Sequence, residues 1–462
     1  MNNKNINRRE FLRIVATGAM STALAACGIN PPQEASTPES STEIVATSIP
    51  PSTQPLQLEC WIHRGDPQAS AIESYVQRYN KELAEKGEPV NWVTTVQPSV
   101  IEPLTAAFSA GSGFPDLMID STGEWMGPFI KSGWQVELNS LLESVGFDWG
   151  QMLPNTRWQI DGKDYFLHYN ITAFLMYINL DHANEAGLDL AKSPPDTWDA
   201  VVEWAQKMTK TDSNGNIVRP GFLNLGSGFH PAVIWATLVE GYGGNVITPD
   251  GKGPNFNNEA GIKAAQWVLD TFHRWKISDI NMQDRYKQWV SGAASMFFSG
   301  NWVIANSIQQ EGLNFDVWRV PRADRIYSTC ANESIQIFKG EENRMKEAAK
   351  LTKWFIDHNG EYSAPFGDIA VTKAAVEHPD YKNRVANKYT WPVMEAYDQA
   401  YVYPWPMHPQ GPLFLPYSGE VIIRNMDLIW QGQISIEEGL KNFEKEVIDI
   451  LAQEPIIPIT VV

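Results

Sequence analysis

Cysteine is scarce in this 462-residue chain, with three in all. Cys27 stands near the N-terminus, which leaves Cys60 and Cys330 for the body, too few for a disulfide framework. Cys60 lies in an apolar, strand-like run, so a buried free thiol is expected there, with a Cys60–Cys330 bridge as the alternative. Basic residues are also short: 36 Lys and Arg face 54 Asp and Glu, a net charge of −18. Such a balance repels nucleic acid and anionic lipid. The eight histidines are scattered without paired metal-ligand spacing. No Walker A, G-x-S-x-G or post-strand G-x-G-x-x-G motif occurs. No metal or cofactor is therefore expected. Nor does any apolar run reach the roughly 20 residues that a membrane-spanning helix needs.

What the N-terminus does contain is ordered. Arg8 and Arg9 precede Phe11-Leu12-Arg13, and an apolar run of 13 residues, Ile14 to Ala26, leads into Cys27. That run has the length and basic flank of a secretory signal. Arg8-Arg9-Glu10-Phe11-Leu12 resembles a twin-arginine export signal, with Asn7 and Arg13 where that signal usually has Ser or Thr and Lys. Leu24-Ala25-Ala26-Cys27 resembles a bacterial lipoprotein box, which implies removal of residues 1–26 and acylation of Cys27. Removal takes away four cations and one carboxylate, so the mature chain carries −21 in place of −18. The expected state is an exported chain anchored to the outer face of the bacterial cell membrane by lipid alone, weakly with one acyl chain and firmly with several.

Residues 27–55 form a linker. Positions 28–55 hold six Pro, five Ser and four Thr and no aromatic residue, a composition that cannot bury a core. A flexible chain of that length spans roughly 30 Å. The remainder exceeds what one hydrophobic core usually holds, so two domains are expected.

From Leu56 strands and helices alternate. Leu56 to Ile62 reads as a strand, His63-Arg64-Gly65 as a turn, and Asp66-Pro67 as a helix start before Ala69, Ile72, Tyr75, Val76, Tyr79 and Leu83. Strand Asn91–Val96, helix Ser99–Ala110 and strand Asp116–Asp120 follow, with Ser121 and Glu124 as a capping box. This alternation predicts an open parallel sheet, whose ligands sit beyond the carboxyl ends of the strands. A second unit begins near Asn170 with strand Ile171–Ile178. It continues with helices at Pro231–Gly241 and Asn258–Trp275 and strand Ala293–Phe298.

Several motifs occur in a fixed order: Trp61-Ile62-His63-Arg64-Gly65-Asp66, Ala110-Gly111-Ser112-Gly113-Phe114-Pro115-Asp116-Leu117-Met118, Lys131-Ser132-Gly133-Trp134, Pro195-Asp196-Thr197-Trp198-Asp199, Tyr242-Gly243-Gly244 and Met296-Phe297-Phe298-Ser299-Gly300-Asn301-Trp302. Each is weak alone. Together, over residues 56–455 and behind a lipoprotein signal, they resemble the family 1 extracellular solute-binding proteins of ABC importers, a group that includes the maltose-binding proteins. The resemblance implies a two-lobed α/β fold of the type II periplasmic-binding-protein-like kind, with the ligand cleft between lobes joined by three hinge crossings. These are expected near Tyr169-Asn170, Asp324–Tyr327 and Thr372–His378. One lobe then takes 56–170 and 326–375, the other 171–325 and 376–462.

Ligand residues carry over position by position. His63, Arg64 and Asp66 match the loop after the family's first strand; Asp120, Ser121, Glu124 and Trp125 match the loop after its third. Asn170 and Thr172 lie at the first crossing. Asn301 and Trp302 fall where maltose-binding proteins stack a ring under a sugar, and Asn332 and Glu333 follow the second crossing. Trp405, His408 and Tyr417 lie in a late segment, and Trp235 on the helix expected to face the cleft.

The residue types suit a pyranose, whose hydroxyls take carboxylate, Arg or Asn partners and whose C–H faces pack on rings. The chain has 18 Trp. The implied function is capture of a mono- or oligosaccharide, without catalysis, by a monomer that hands it to a membrane permease. A surface-anchored glycoside hydrolase would use acidic pairs in the same cleft. A polyamine would use its carboxylates and rings, against which Arg64 weighs. An adhesin or scaffold would take no small ligand. The lipoprotein box makes Cys27→Ala a test of the anchor: the variant is expected to leave the membrane fraction or remain unprocessed, and a processed variant that still pellets with membranes removes acylation at Cys27 as the tether.

Overall fold

The structure, a computed structural model, describes residues 54–120, 123, 126–330, 332–409 and 420–462. The signal segment, Cys27, most of the linker, Ser121, Glu124, Trp125 and Tyr417 lie outside them. The first strand, β1 (Leu56–His63), places Leu58, Cys60 and Ile62 on one buried face. Helix α1 (Gln68–Glu85) covers it with Ala69, Ile72, Val76, Tyr79 and Leu83, one per turn of an amphipathic stripe. β2 (Val90–Val96), α2 (Ile101–Ala110) and β3 (Leu117–Asp120) complete the alternation. Both β2 and β3 pair with β1 in parallel, as crossover connections require.

Five further strands build the two main sheets: β4 (Leu167–Asn170), β5 (Phe174–Asn179), β6 (Met296–Gly300), β7 (Phe315–Trp318) and β8 (Glu333–Ile337). The first sheet has the order β2-β1-β3-β8-β4; the second has the order β6-β5-β7 and is antiparallel throughout. β5, at the centre of the second sheet, is buried from Phe174 to Asn179, which accounts for its unbroken apolar run. The first sheet departs from the parallel sheet that the alternation predicts, because β8 runs antiparallel to β3 and β4. The chain re-enters this sheet from the second one, at the edge where the parallel strands end, and can only run back.

Between the sheets, the backbone at 169–173 lies beside 367–371, joined by an Ile171–Ile369 bridge. Four asparagines, all fully buried, stitch these stretches together. Asn170 Oδ1 accepts from Ile369 N at 2.5 Å, and Asn359 donates to Tyr169 O at 2.9 Å while accepting from Val371 N at 3.3 Å. Asn301 accepts from Ala173 N at 3.2 Å and donates to Ile171 O and Gly367 O at 3.4 and 3.1 Å. Asn332 Oδ1 accepts from Thr172 N at 3.0 Å and from the Tyr397 hydroxyl at 2.6 Å. Irregular backbone can be buried here because these amides satisfy it.

The late segments divide between the sheets. Helix Asn387–Asp398 packs on the second, where Tyr389 stacks on Phe315 with ring centroids 4.4 Å apart. The chain end turns to the first instead: Thr460–Val461 pairs with Trp158–Gln159, and Met407, Ile457 and Ile459 join the core formed by Trp61, Met118, Phe129 and Phe166. Cys60 and Cys330 are both buried, and no disulfide joins them. No helix among the described residues is long and apolar enough to cross a membrane.

Two stability predictions follow from this packing. Asn301→Ala strands three buried backbone groups, so it should cost about 2–4 kcal/mol in chemical denaturation. An unchanged midpoint would show that solvent can reach the crossing. His168, in β4, is buried against Trp158, and its Nδ1–H donates to Thr156 O at 2.7 Å. Burial pushes its pKa down to about 4. With an unfolded value near 6.5, the neutral ring contributes stability above that pH, lost as pH falls through about 4, up to roughly 3 kcal/mol. A His168→Gln variant should show a flatter stability profile between those limits.

Candidate ligand-binding site

The antiparallel entry of β8 gathers the polar residues. In the strand register His63 stands opposite Asp120, Asp120 opposite Ser334, and Glu333 opposite Asn170. The last residues of three strands and the first residue of β8 thus line one edge of the sheet. His63 Nδ1 lies 2.7 Å from Asp120 Oδ1; a carboxylate only accepts, so that nitrogen carries the proton. Arg64 turns inward. Its Nη1 donates to Glu333 Oε1, and its Nη2 lies 3.9 Å from Asp368 Oδ1. Burial disfavours the Arg64 charge, but Tyr169, Asp368, Tyr362 and Asp120 outweigh it and raise its pKa. Burial also raises the pKa of Asp368, against the pull of Arg64 and Arg384.

The opposite wall comes from the end of β6. Gly300 leads into a turn in which Trp302 folds back over it, and a Cβ at position 300 would sit 1.9 Å from the indole. The ring meets Phe174 edge-on at 5.3 Å and donates from Nε1 to the Tyr286 hydroxyl at 3.1 Å. Arg285 lies across the Tyr286 ring at 4.5 Å and donates to the same hydroxyl at 3.1 Å. The walls meet where Asn301 bonds to Gly367 O. A Cβ on Gly367 would come within 2.6 Å of Asn301 O and Ile304 Cβ, so only glycine permits this approach. Trp302 follows Asn301 and Asp368 follows Gly367, which brings the aromatic wall to the charged one.

Of the residues expected from sequence, His63, Arg64, Asp120, Asn170 and Glu333 are brought together at the sheet edge, and Trp302 lies on the adjoining wall. Others belong elsewhere. Trp235 is fully buried, donates to Gly261 O at 3.2 Å and packs on Phe256 and Phe443, so it lies on the core side of its helix, Phe229–Gly241. Both ends of the Asn301 amide are spent on backbone. Asp66 is exposed and accepts from Ser70 N and Oγ, which makes it a helix-start residue. His408 is buried and bonded to Glu454 O at 2.7 Å. Trp405 lines a cavity of about 80 Å³ with Thr237, Glu240, Tyr327 and Thr329 and follows a strand paired with Ser328–Cys330, just ahead of Asn332 and Glu333. Thr172 and Asn332 sit in the crossing, bonded to each other through Thr172 N and Asn332 Oδ1. Sequence reading missed Asp368, Arg384, Arg285 and Tyr286. Gly367-Asp368 reads as an ordinary turn pair, and Arg285-Tyr286 as the start of a short helix.

Two sheets joined by short crossings, with polar residues on one sheet edge linked to an aromatic turn from the other through the Asn301–Gly367 hydrogen bond, define a two-lobed α/β binding fold. The sequence model of the bacterial extracellular solute-binding proteins matches residues 65–361. The chain belongs to that family. Solved structures share the type II periplasmic-binding-protein fold. An ABC transporter solute-binding protein from Thermotoga lettingae bound with α-D-tagatose is 20% identical over 86% of this chain and 100% of its own, at a TM-score of 0.69. The substrate-binding protein Lmo0181 from Listeria monocytogenes, in complex with cycloalternan, is 17% identical over 86% and 100%, at 0.71. UgpB from Mycobacterium tuberculosis, in complex with glycerophosphocholine, is 16% identical over 87% and 100%, at 0.71.

The two tryptophans separate binding from folding. Trp302→Ala should weaken solute binding by about 1–3 kcal/mol, roughly tenfold or more in Kd, while the protein stays folded. Trp235→Ala should instead cost about 3–5 kcal/mol of stability. Calorimetric titration and thermal denaturation of both variants check this. The reverse pattern would move the stacking ring to position 235.

Proposed function

We propose that this protein is the substrate-binding component of an ABC importer that captures a carbohydrate outside the cell and delivers it to a membrane permease. Its site comprises His63, Arg64, Asp120, Asn170, Glu333 and Trp302, with Ser121, Glu124, Trp125 and Tyr417 completing it from segments outside the described residues. The observation that carries this reading is the Asn301–Gly367 contact, which brings the Trp302 turn to the Arg64–Glu333 edge. A flat ring beside paired polar groups suits the C–H face and hydroxyls of a sugar. The sugars named for the Thermotoga and Listeria proteins support the same class.

One lobe takes 56–170 and 326–375 and the other 171–325 and 376–462, with the chain-end strand reaching back to the first. Solute touching both walls binds the closed arrangement better than the open one, and that differential affinity shifts the population toward closure. A few residues at the crossings absorb the rotation. The protein acts without catalysis and as a monomer. Support for the first point is that each described carboxylate at the sheet edge is held by a cation or imidazole: Asp120 by His63, Glu333 by Arg64. After export, acylated Cys27 and the Pro-rich linker hold the lobes near the permease.

Titration with mono- and disaccharides, read by Trp fluorescence, tests the reading. Tight stoichiometric binding with no hydrolysis product is expected, together with a smaller radius of gyration by small-angle scattering in saturating sugar. Turnover of oligosaccharides would make it a glycoside hydrolase. An unchanged radius on binding would remove closure as the mechanism.

A further inference from the structure

The charge at the base of the cleft is balanced in an uncommon way. Arg64, whose side chain is 7% exposed, is faced by two carboxylates, Glu333 at 2% and Asp368 at 0%. They come from distant parts of the chain: Glu333 opens β8, and Asp368 stands beside the Asn301–Gly367 contact. Arg384 is the second cation: its Nη1 donates to Ser363 O and Asp368 O and its Nε to Asn387 Oδ1, neutral groups that leave its charge to act on Asp368. Asp120, fully buried beside Arg64, is held by His63. Arg285 lies over the Tyr286 ring and bonds to its hydroxyl.

Recognition of a phosphate or carboxylate needs cations whose donors are uncommitted. Recognition of an ammonium needs carboxylates that are not already paired. At this base two guanidiniums, Arg64 and Arg384, and two carboxylates, Glu333 and Asp368, balance one another beforehand. A hydroxyl, which both donates and accepts and carries no charge, meets no penalty from either sign. The shared fold does not decide this point, since UgpB, of nearly the same architecture, is complexed with a phosphodiester.

We propose that Glu333 and Asp368 are specificity-determining residues that offset the charges of Arg64 and Arg384 beneath the cleft, so that the site admits uncharged polyhydroxyl solutes and rejects phosphorylated, carboxylated and cationic ones. This rests on reading the cleft as a carbohydrate site, and it assigns to Asp368, in the stretch that lies beside the first crossing, a role that no motif announces.

The test is a paired titration of the full mature protein by calorimetry: maltose, mannobiose, glucose and tagatose as neutral probes; glucose 6-phosphate, glucuronate and glycerophosphocholine as anionic or zwitterionic ones; and spermidine as the cation. The parent should bind its best neutral probe at least about a hundredfold more tightly than any charged probe. Asp368→Asn and Glu333→Gln, each removing one negative charge from Arg64, should improve the ratio of glucose 6-phosphate to glucose affinity by about tenfold or more. A parent that binds a charged probe as well as a neutral one overturns the proposal while leaving solute capture intact. So do folded variants with an unaltered ratio. If neither variant folds, the parent's own ranking decides. A parent that binds none of the probes overturns the carbohydrate reading and the proposal with it.

Discussion

Burying irregular backbone between two sheets is the constraint on which the rest of this structure depends. A crossing segment has neither helix nor ladder to satisfy its amides and carbonyls, and each one left bare inside the protein costs about 1–3 kcal/mol. Asn301 and Asn359 meet that demand by donating and accepting at once, and Asn170 and Asn332 by accepting at Oδ1. Asparagine suits the task because its amide mimics a peptide group on a short stem. A network of this kind specifies one arrangement of the crossings, since a slip of one residue would leave several buried groups unmatched.

The same network fixes where the site can be. Asn301 ties the turn bearing Trp302 to Gly367, and the next residue, Asp368, reaches toward Arg64. Position in the aromatic wall and charge in the opposite wall are thus set by one contact. The Arg64–Glu333–Asp368–Arg384 group has the cost expected of buried charge, which is met by pairing rather than by solvent. It is rigid for the same reason: separating any member leaves an uncompensated ion.

Aromatic residues, abundant in the chain, serve two purposes that only their surroundings separate. Trp158, Trp235, Trp289 and Trp430 are among the largest fully buried side chains and fill the core. Trp302 remains partly exposed because Gly300 lets its ring fold back over the strand end, and Tyr286 and Phe174 hold its orientation. A ring fixed from three sides loses little freedom when a ligand stacks on it, which favours binding.

Much of this organisation was legible in the sequence, for local reasons. Periodicity placed β1, α1, β2 and β3 within a few residues of their observed ends, because burial of one face imposes spacings of two and 3.6 on the apolar side chains. The carboxyl-end rule then picked out His63, Arg64 and Asp120, since parallel strands must finish on the same edge. Order and spacing of the motifs identified the family. What the sequence could not determine was set by pairings between residues far apart. The reversed direction of β8 depends on where the chain re-enters the sheet, and it alone brings Glu333 to that edge. Whether a tryptophan such as Trp235 faces core or cleft depends on neighbours more than 20 positions away, among them Gly261 and Phe443. Asp368 has no local signature, because its partner Arg64 lies at the other end of the sheet's chain order and meets it only once the crossings are stitched together.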